Sequence, residues 1–182
     1  HDIIDGGAGN DRVYGDDGDD ILSGGAGDDF IYGGVGHDIL YAGSGADRIE
    51  GGDGNDVLIS GYNQDVMLGD SGSDTFLFIN HGDGAKDQIL DFSVEDKLDI
   101  TNVISGFDSL SDDINGFIKF VEKGGNTFVN IDTDGGANGY QTFAILKGSV
   151  NIGTVTDLYN DGRIVTDSTI LQDQINSGSI IV

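Results

Sequence analysis

The chain has no cysteine among its 182 residues, so neither disulfides nor thiolate metal sites hold its fold together. Basic residues are scarce. Eight Lys and Arg stand against 33 Asp and Glu, for a formal charge of −25 and a pI near 4.1. Nucleic acid and anionic membrane would be repelled by such a chain, and cations drawn to it. No apolar run approaches the ~20 residues needed to span a bilayer, and no N-terminal signal peptide is visible. Catalytic signatures are missing as well, with no HExxH, GxSxG or P-loop. The three histidines are His1, His37 and His81, and His37 reads as turn filler. High charge with little hydrophobicity can mean disorder. Here the hydrophobic share is 37% and its positions are phased, which argues for conditional folding.

Glycine and aspartate are abundant, and they are ordered. From Gly6 to Leu77 the chain reads in blocks of nine: GGAGNDRVY, GDDGDDILS, GGAGDDFIY, GGVGHDILY, AGSGADRIE, GGDGNDVLI, SGYNQDVML and GDSGSDTFL. The sixth place is always aspartate: Asp11, Asp20, Asp29, Asp38, Asp47, Asp56, Asp65 and Asp74. The eighth is always apolar: Val13, Leu22, Ile31, Leu40, Ile49, Leu58, Met67 and Phe76. Half a block precedes them, with Asp2 and Ile4 in phase. The array thus reads as cut from a longer one, an Asp/Gly-rich linker being excluded by its phased apolar places.

The first six places of each block favour turns and the last three favour a strand. Glycine at places one, two and four supplies positive φ and room for close approach. Strands this short must stack on neighbours. Two blocks make one coil, so blocks i and i+2 lie about 4.8 Å apart. Ile4, Leu22, Leu40, Leu58 and Phe76 then line one inner face, and Val13, Ile31, Ile49 and Met67 the other. Stacking also brings the aspartates within roughly 5 Å of one another, at about 3 kcal/mol of repulsion per pair for an effective dielectric near 20. Seven such pairs outweigh the ~5–15 kcal/mol stability of an ordinary domain. A cation must enter between the turns. Carboxylates and turn carbonyls in flexible geometry suit Ca²⁺ better than Mg²⁺ or a transition metal.

These blocks resemble the GGxGxDxUx nonapeptide of repeats-in-toxin (RTX) proteins, a Ca²⁺-binding β-helix signature. The resemblance implies a parallel β-roll over residues 1–77, with several ions, up to about seven, between turns two blocks apart. It places the bridging carboxylates at Asp2/Asp20, Asp11/Asp29, Asp20/Asp38, Asp29/Asp47, Asp38/Asp56, Asp47/Asp65 and Asp56/Asp74. Main-chain carbonyls from places one to four complete the shells. They come from Gly6, Gly7, Ala8 and Gly9; Gly15, Asp16, Asp17 and Gly18; Gly24, Gly25, Ala26 and Gly27; Gly33, Gly34, Val35 and Gly36. The later blocks give Ala42, Gly43, Ser44 and Gly45; Gly51, Gly52, Asp53 and Gly54; then Gly69 and Ser71. Block seven departs, with Tyr62 and Asn63 at places three and four, so sites on that turn are expected to be weak or empty. Ala42 and Ser60 replace first-place glycines, a milder change, and the pair through Asp2 lacks most of its upper turn.

Residues 78–182 lose the period and read as a small α+β cap. Phe76 to Ile79 is expected to close the open end of the roll. The run Asp87 to Phe92, then Asp96 to Ile100, is similar to an element that follows many RTX arrays. By that analogy Asp87 or Asp91 helps bind a last ion. The other reading is a strand with solvated aspartates. Residues 109–116 read as a short helix capped by Ser109 or Ser111. Two strands flank Lys123-Gly124-Gly125-Asn126, a hairpin signal, and a third runs from Gln141 to Leu146. The loop from Asp132 and Asp134 lacks an EF-hand glutamate and reads as a turn, with a surface Ca²⁺ as the alternative. A helix starting at Thr166-Asp167-Ser168 and an apolar terminal strand end the chain. Tyr14, Tyr32 and Tyr41 fall at place nine, on the outer face and half-exposed.

This order of elements resembles the C-terminal region of type I secretion substrates, as it ends large bacterial RTX adhesins. The implied molecule is non-catalytic, a monomeric piece of a larger protein. It would be exported by an inner-membrane transporter and outer-membrane channel to the outside of a Gram-negative cell, where Ca²⁺ folds it. Two alternatives stand: the C-terminal region of an RTX protease, lipase or toxin, and a Ca²⁺-dependent glycan-binding module.

Overall fold

The structure, a computed structural model, describes residues 1–79, 84–104, 113–133, 139–147 and 163–165. Two facing sheets carry the chain. The first holds β1 (Ile3–Asp5), β3 (Ile21–Ala26), β5 (Ile39–Ser44), β7 (Val57–Ile59), β9 (Thr75–Leu77), β11 (Lys97–Asp99) and β15 (Ile164–Val165), in that order. The second begins with β2 (Arg12–Tyr14), β4 (Phe30–Val35), β6 (Arg48–Asp53), β8 (Val66–Ser71) and β10 (Asp87–Ile89). It continues through β14 (Gln141–Lys147) and β13 (Asn126–Ile131) to β12 (Ile118–Lys123).

Successive blocks alternate between the sheets, which makes each strand pair in parallel with the one two blocks on. The register step in the array is 18 residues: Leu22 opposes Leu40, which opposes Leu58, and Ile31 opposes Ile49. The expected inner faces are the observed ones. Leu22, Leu40, Leu58 and Phe76 meet Val13, Ile31, Ile49 and Met67 in one core. Strands β3, β4, β5, β6 and β8 run six residues rather than three, through places one and two to place three, because those places pair as well. Strand β7 stops after three residues, where Ser60 opens the irregular block.

The period ends at Leu77 but the sheets do not. Phe76 to Ile79 leaves the end open, because β11 pairs in parallel with β9 and β10 with β8. Leu98 and Ile89 extend the two inner rows, and the register places Ile164 and Leu146 beyond them. The step across this boundary widens from 18 to 22 residues (Met67 to Ile89, Phe76 to Leu98). Beyond β14 the second sheet turns antiparallel through the hairpin of β12 and β13. Its two-residue turn uses positive φ at Gly124 (63°) and Gly125 (76°), as the sequence suggested.

Among the described residues the regular elements after Leu77 are β-strands, apart from one 3₁₀ turn at Ile114–Gly116. That turn is capped by Asp113, whose carboxylate accepts from the Asn115 N–H. The proposed caps Ser109 and Ser111, the helix from Thr166 and the terminal strand lie outside the described residues. On the outer face of the first sheet Tyr41 is buried with Ile59 and Leu77, unlike exposed Tyr14. The half-exposed reading of place nine therefore fails at Tyr41.

Candidate metal-binding rows

Place six sits where the turn re-enters a strand, so its side chain points along the stacking direction. Each of the seven expected aspartate pairs is joined by one bond, in which the later Oδ1 accepts the main-chain N–H of the earlier aspartate. The distances are 2.8 Å for Asp11 to Asp29, 2.8 Å for Asp20 to Asp38 and 2.8 Å for Asp29 to Asp47. They are 2.9 Å for Asp38 to Asp56, 3.0 Å for Asp47 to Asp65 and 2.9 Å for Asp56 to Asp74. Asp2 donates to Asp20 in the same way.

The second oxygen is left over. Oδ2 of Asp11, Asp20, Asp29, Asp38, Asp47 and Asp56 is buried with no hydrogen-bond partner. An orphaned buried carboxylate oxygen is costly unless something positive meets it.

Glycine at place one explains what else faces that oxygen. A Cβ on Gly15 would lie 2.5 Å from the Gly33 carbonyl oxygen and 2.7 Å from Asp20 Oδ2. At Gly33 the equivalent distances are 2.5 Å to the Gly51 carbonyl and 2.5 Å to Asp38 Oδ2. A carbonyl of the next coil and a carboxylate of the same block therefore converge on a space that only a residue without Cβ leaves open. Place one is a close approach, not a left-handed position. Positive φ belongs to places two and four, from Gly7 (91°) and Gly9 (122°) onward, with Asp16, Asn63 and Asp70 adopting it without glycine.

Gly6, Gly24 and Gly51 repeat this close approach, Gly69 meets the Asp74 carboxylate in the same way, and Ala42 places a buried methyl group there. At place two, Gly7, Gly25, Gly34, Gly43 and Gly52 carry the left-handed bend, and at place four Gly18, Gly27, Gly36, Gly45 and Gly54 do. The place-three carbonyls of Ala26, Val35, Ser44, Asp53 and Ser71 accept a main-chain N–H from the coil before. Ala8 and Asp17 bridge to Ala26 and Val35.

Block seven differs from the others in its hydrogen bonding. Asp65 Oδ2 accepts the Gly61 N–H at 3.0 Å, so its carboxylate is already engaged within its own turn. Further on, Asp87 and Asp91 are both used. Asp87 Oδ1 accepts from Asp65 at 3.0 Å, and Asp91 accepts from Gly69 at 3.1 Å and Asp70 at 2.8 Å. Asp87 is buried, which contradicts the solvated reading for it. The sequence reading missed Asp96 as a site residue. Its Oδ1 accepts from Asp74 at 3.0 Å, continuing the row. The signal was the spacing Asp96-Lys97-Leu98, which repeats the array's aspartate two places before an apolar residue. Asp132 is buried and accepts from Gly139, and Asp134 lies outside the described residues.

A second row runs along the turns at place five, in the opposite direction. His1 Nδ1 accepts from Asp19 at 2.8 Å, Asp19 from His37 at 2.9 Å, His37 Nδ1 from Asn55 at 2.9 Å, and Asn55 from Ser73 at 2.8 Å. His37 is a rung of this ladder rather than filler. The missed signal was that place five carries a polar side chain with an acceptor atom in every block but that of Ala46.

Burial, the first cause, raises Asp29 and Asp38 above the usual carboxylate range and pushes Asp47 up to about 7, Asp56 to about 6 and Asp74 to about 7. Neighbouring aspartates add to this, while the main-chain bond to Oδ1 opposes it. Among the described residues no three acidic or histidine side chains gather at one point. A cation in these turns would therefore draw on one carboxylate per turn plus main-chain carbonyls. That donor set is hard oxygen throughout and suits Ca²⁺.

Residues 1–31, 14–49 and 41–76 match the family model of the RTX calcium-binding nonapeptide repeat. No curated protein matches the chain. Among solved structures, the R3 subunit of AlgE6, a mannuronan C5-epimerase of Azotobacter vinelandii, is 28% identical. The match covers 85% of this chain and 82% of that one, with a TM-score of 0.38. The R2 subunit of the same epimerase is 26% identical over 79% of this chain and 94% of that one, at a TM-score of 0.36. Superpositions this loose carry no argument about this chain.

Proposed function

We propose that this chain, whose first 76 residues carry RTX calcium-binding repeats, is a calcium-driven folding and secretion module from the C-terminus of a large RTX adhesin. One observation carries the reading. Six aspartates each keep a buried, unpartnered Oδ2 repeated along the stack, and at Asp11, Asp20, Asp29, Asp38 and Asp56 a carbonyl of the next coil converges on the same place-one space. Those oxygens oppose closure until a divalent cation arrives. Ca²⁺, when bound, supplies the positive charge that lets the turns stack. The chain's own residues do the rest. Asp11, Asp20, Asp29, Asp38, Asp47 and Asp56 would hold the ions, and the turn carbonyls would complete the shells.

In the cytosol, where Ca²⁺ is scarce, the array would stay open and threadable through a type I transporter and its outer-membrane channel. Outside a Gram-negative cell, extracellular modules bind Ca²⁺ with Kd of about 10⁻⁴–10⁻³ M, and folding there would follow ion entry. The chain does no catalysis in this reading, its buried acids being committed to stacking. The resemblance of the region after Leu77 to the tails of RTX adhesins supports the choice of parent. Circular dichroism with and without EGTA tests the folding step. A spectrum unmoved by chelation would sink it. Export of a passenger fused ahead of His1 through a type I system tests the secretion step.

A further inference from the structure

The last coil of the first sheet is closed differently from all the others. In each earlier coil the place-six carbonyl accepts a main-chain N–H from the next coil, as Asp38 does from Val57, Asp56 from Thr75 and Asp74 from Lys97. At Asp96 the donor is a side chain. Arg163 Nε reaches the Asp96 carbonyl at 3.2 Å, and its terminal nitrogen reaches the Ser93 carbonyl at 2.8 Å. The guanidinium also lies 5.6 Å from the centroid of the Phe92 ring, which packs on Phe76 in the core. Counting back from Asp96, Ser93 occupies place three of the turn 91–96, a place whose carbonyl in the repeats accepts a main-chain N–H from the coil before.

The carboxylate of this turn differs too. Asp96 Oδ1 accepts from Asp74 and Oδ2 accepts from the Ser93 N–H at 2.6 Å, so neither oxygen is left over. No glycine lies between Asp91 and Asp96, and so every place of the turn carries a side chain. We infer that Arg163 takes the place of those main-chain donors at the end of the array, its charged guanidinium closing the turn 91–96 so that this coil forms without calcium.

The chemistry fits the substitution. A guanidinium is always charged, is more weakly hydrated than an ammonium, and presents several donors in a rigid fork. It therefore satisfies two carbonyls and stacks on an aromatic face where an ion would need six oxygens. A permanent cation at one end also leaves a pre-closed coil on which the calcium-dependent turns can stack. Without it the first ion-bound turn would have to form on an open chain. This last consequence rests on the calcium reading above, but the calcium-free closure of the final coil does not.

The test compares the full chain with Arg163→Met, which keeps the stem over Phe92 but not the charge, and with Arg163→Lys. Hydrogen exchange is followed in EGTA at the amides of Lys97, Leu98 and Asp99, and calcium titration is followed by circular dichroism. The wild-type chain is expected to protect these amides without calcium, Arg163→Met to lose that protection, and Arg163→Lys to keep part of it. Losing a charge-assisted pair of hydrogen bonds should lower the closing equilibrium at fixed calcium roughly tenfold in Arg163→Met. Wild-type amides unprotected in EGTA would overturn the inference, as would Arg163→Met matching wild type in both readings. Failure of the calcium reading looks different: the array would ignore EGTA in every variant, whatever happens at β11.

Discussion

Asp47 Oδ1 accepts the main-chain N–H of Asp29 at 2.8 Å, across 18 residues and one full coil. The bond fixes which oxygen of Asp47 faces the backbone and which is left without a partner. That single relationship, repeated along the array, sets the terms of the predictions that follow.

Charge at place six should matter more than shape. In Asp38→Asn the side chain can still accept from Asp20, so the stacking bond is kept while the charge is lost. Calcium affinity is expected to fall roughly tenfold, with about one ion fewer bound. Asp65→Asn should change both much less, because Asp65 Oδ2 is already taken by Gly61. Isothermal titration of the two variants beside wild type measures the contrast, and equal losses would contradict it.

Protons should replace calcium in part. Burial pushes Asp47 to about 7, Asp56 to about 6 and Asp74 to about 7, whereas in an open chain such carboxyls titrate near ~3.9. The closed, calcium-free roll thus binds protons more tightly than the open chain. Its stability is greatest below about pH 4 and is lost as pH rises through about 6 to 7. Circular dichroism in EGTA should show more β-structure at pH 5 than at pH 8. Calcium binding near pH 7 should release protons, detectable as a heat that depends on the buffer.

The place-one glycines should tolerate no side chain. In Gly33→Ala the new methyl would sit 2.5 Å from both the Gly51 carbonyl and Asp38 Oδ2, so the coil must shift. Stability in calcium is expected to drop by about 3 kcal/mol or more. The reverse change, Ala42→Gly, removes a buried methyl group from the equivalent place. It should raise calcium affinity at the Asp47 turn. Calcium titrations of these two variants should move in opposite directions.

The place-five ladder should be worth a modest amount. Asn55→Ala leaves the Ser73 N–H without its acceptor. A cost of about 1 kcal/mol is expected in calcium, with ion number unchanged. Urea denaturation gives the first quantity and titration the second. A change in ion number would mean that place five belongs to the ion shells.

Core positions in the array were legible because the period is local information repeated. Leu40 opposes Leu22 and Leu58 since each lies at place eight, and the step of 18 follows from two blocks per coil. Strand length was less legible. Pairing runs on through Gly33-Gly34 to Val35, although glycine is a poor strand former, because neighbouring coils present the same backbone there. His37 was misread because its value lies in a neighbour 18 residues away and not in its own turn.

By itself the sequence determined the coil, its register, its two inner faces and the row of place-six aspartates. Each of these repeats a nine-residue rule, and stacking identical units leaves one consistent arrangement. Only the tertiary structure decided how the array continues past Leu77. There the step widens to 22 residues, Asp87 and Asp96 take over the row, and Arg163 returns from 67 residues beyond Asp96 to close the turn. No local spacing prescribes those contacts. They arise because two open sheet edges and a turn with unmet carbonyls accept whichever distant segment can pair with them.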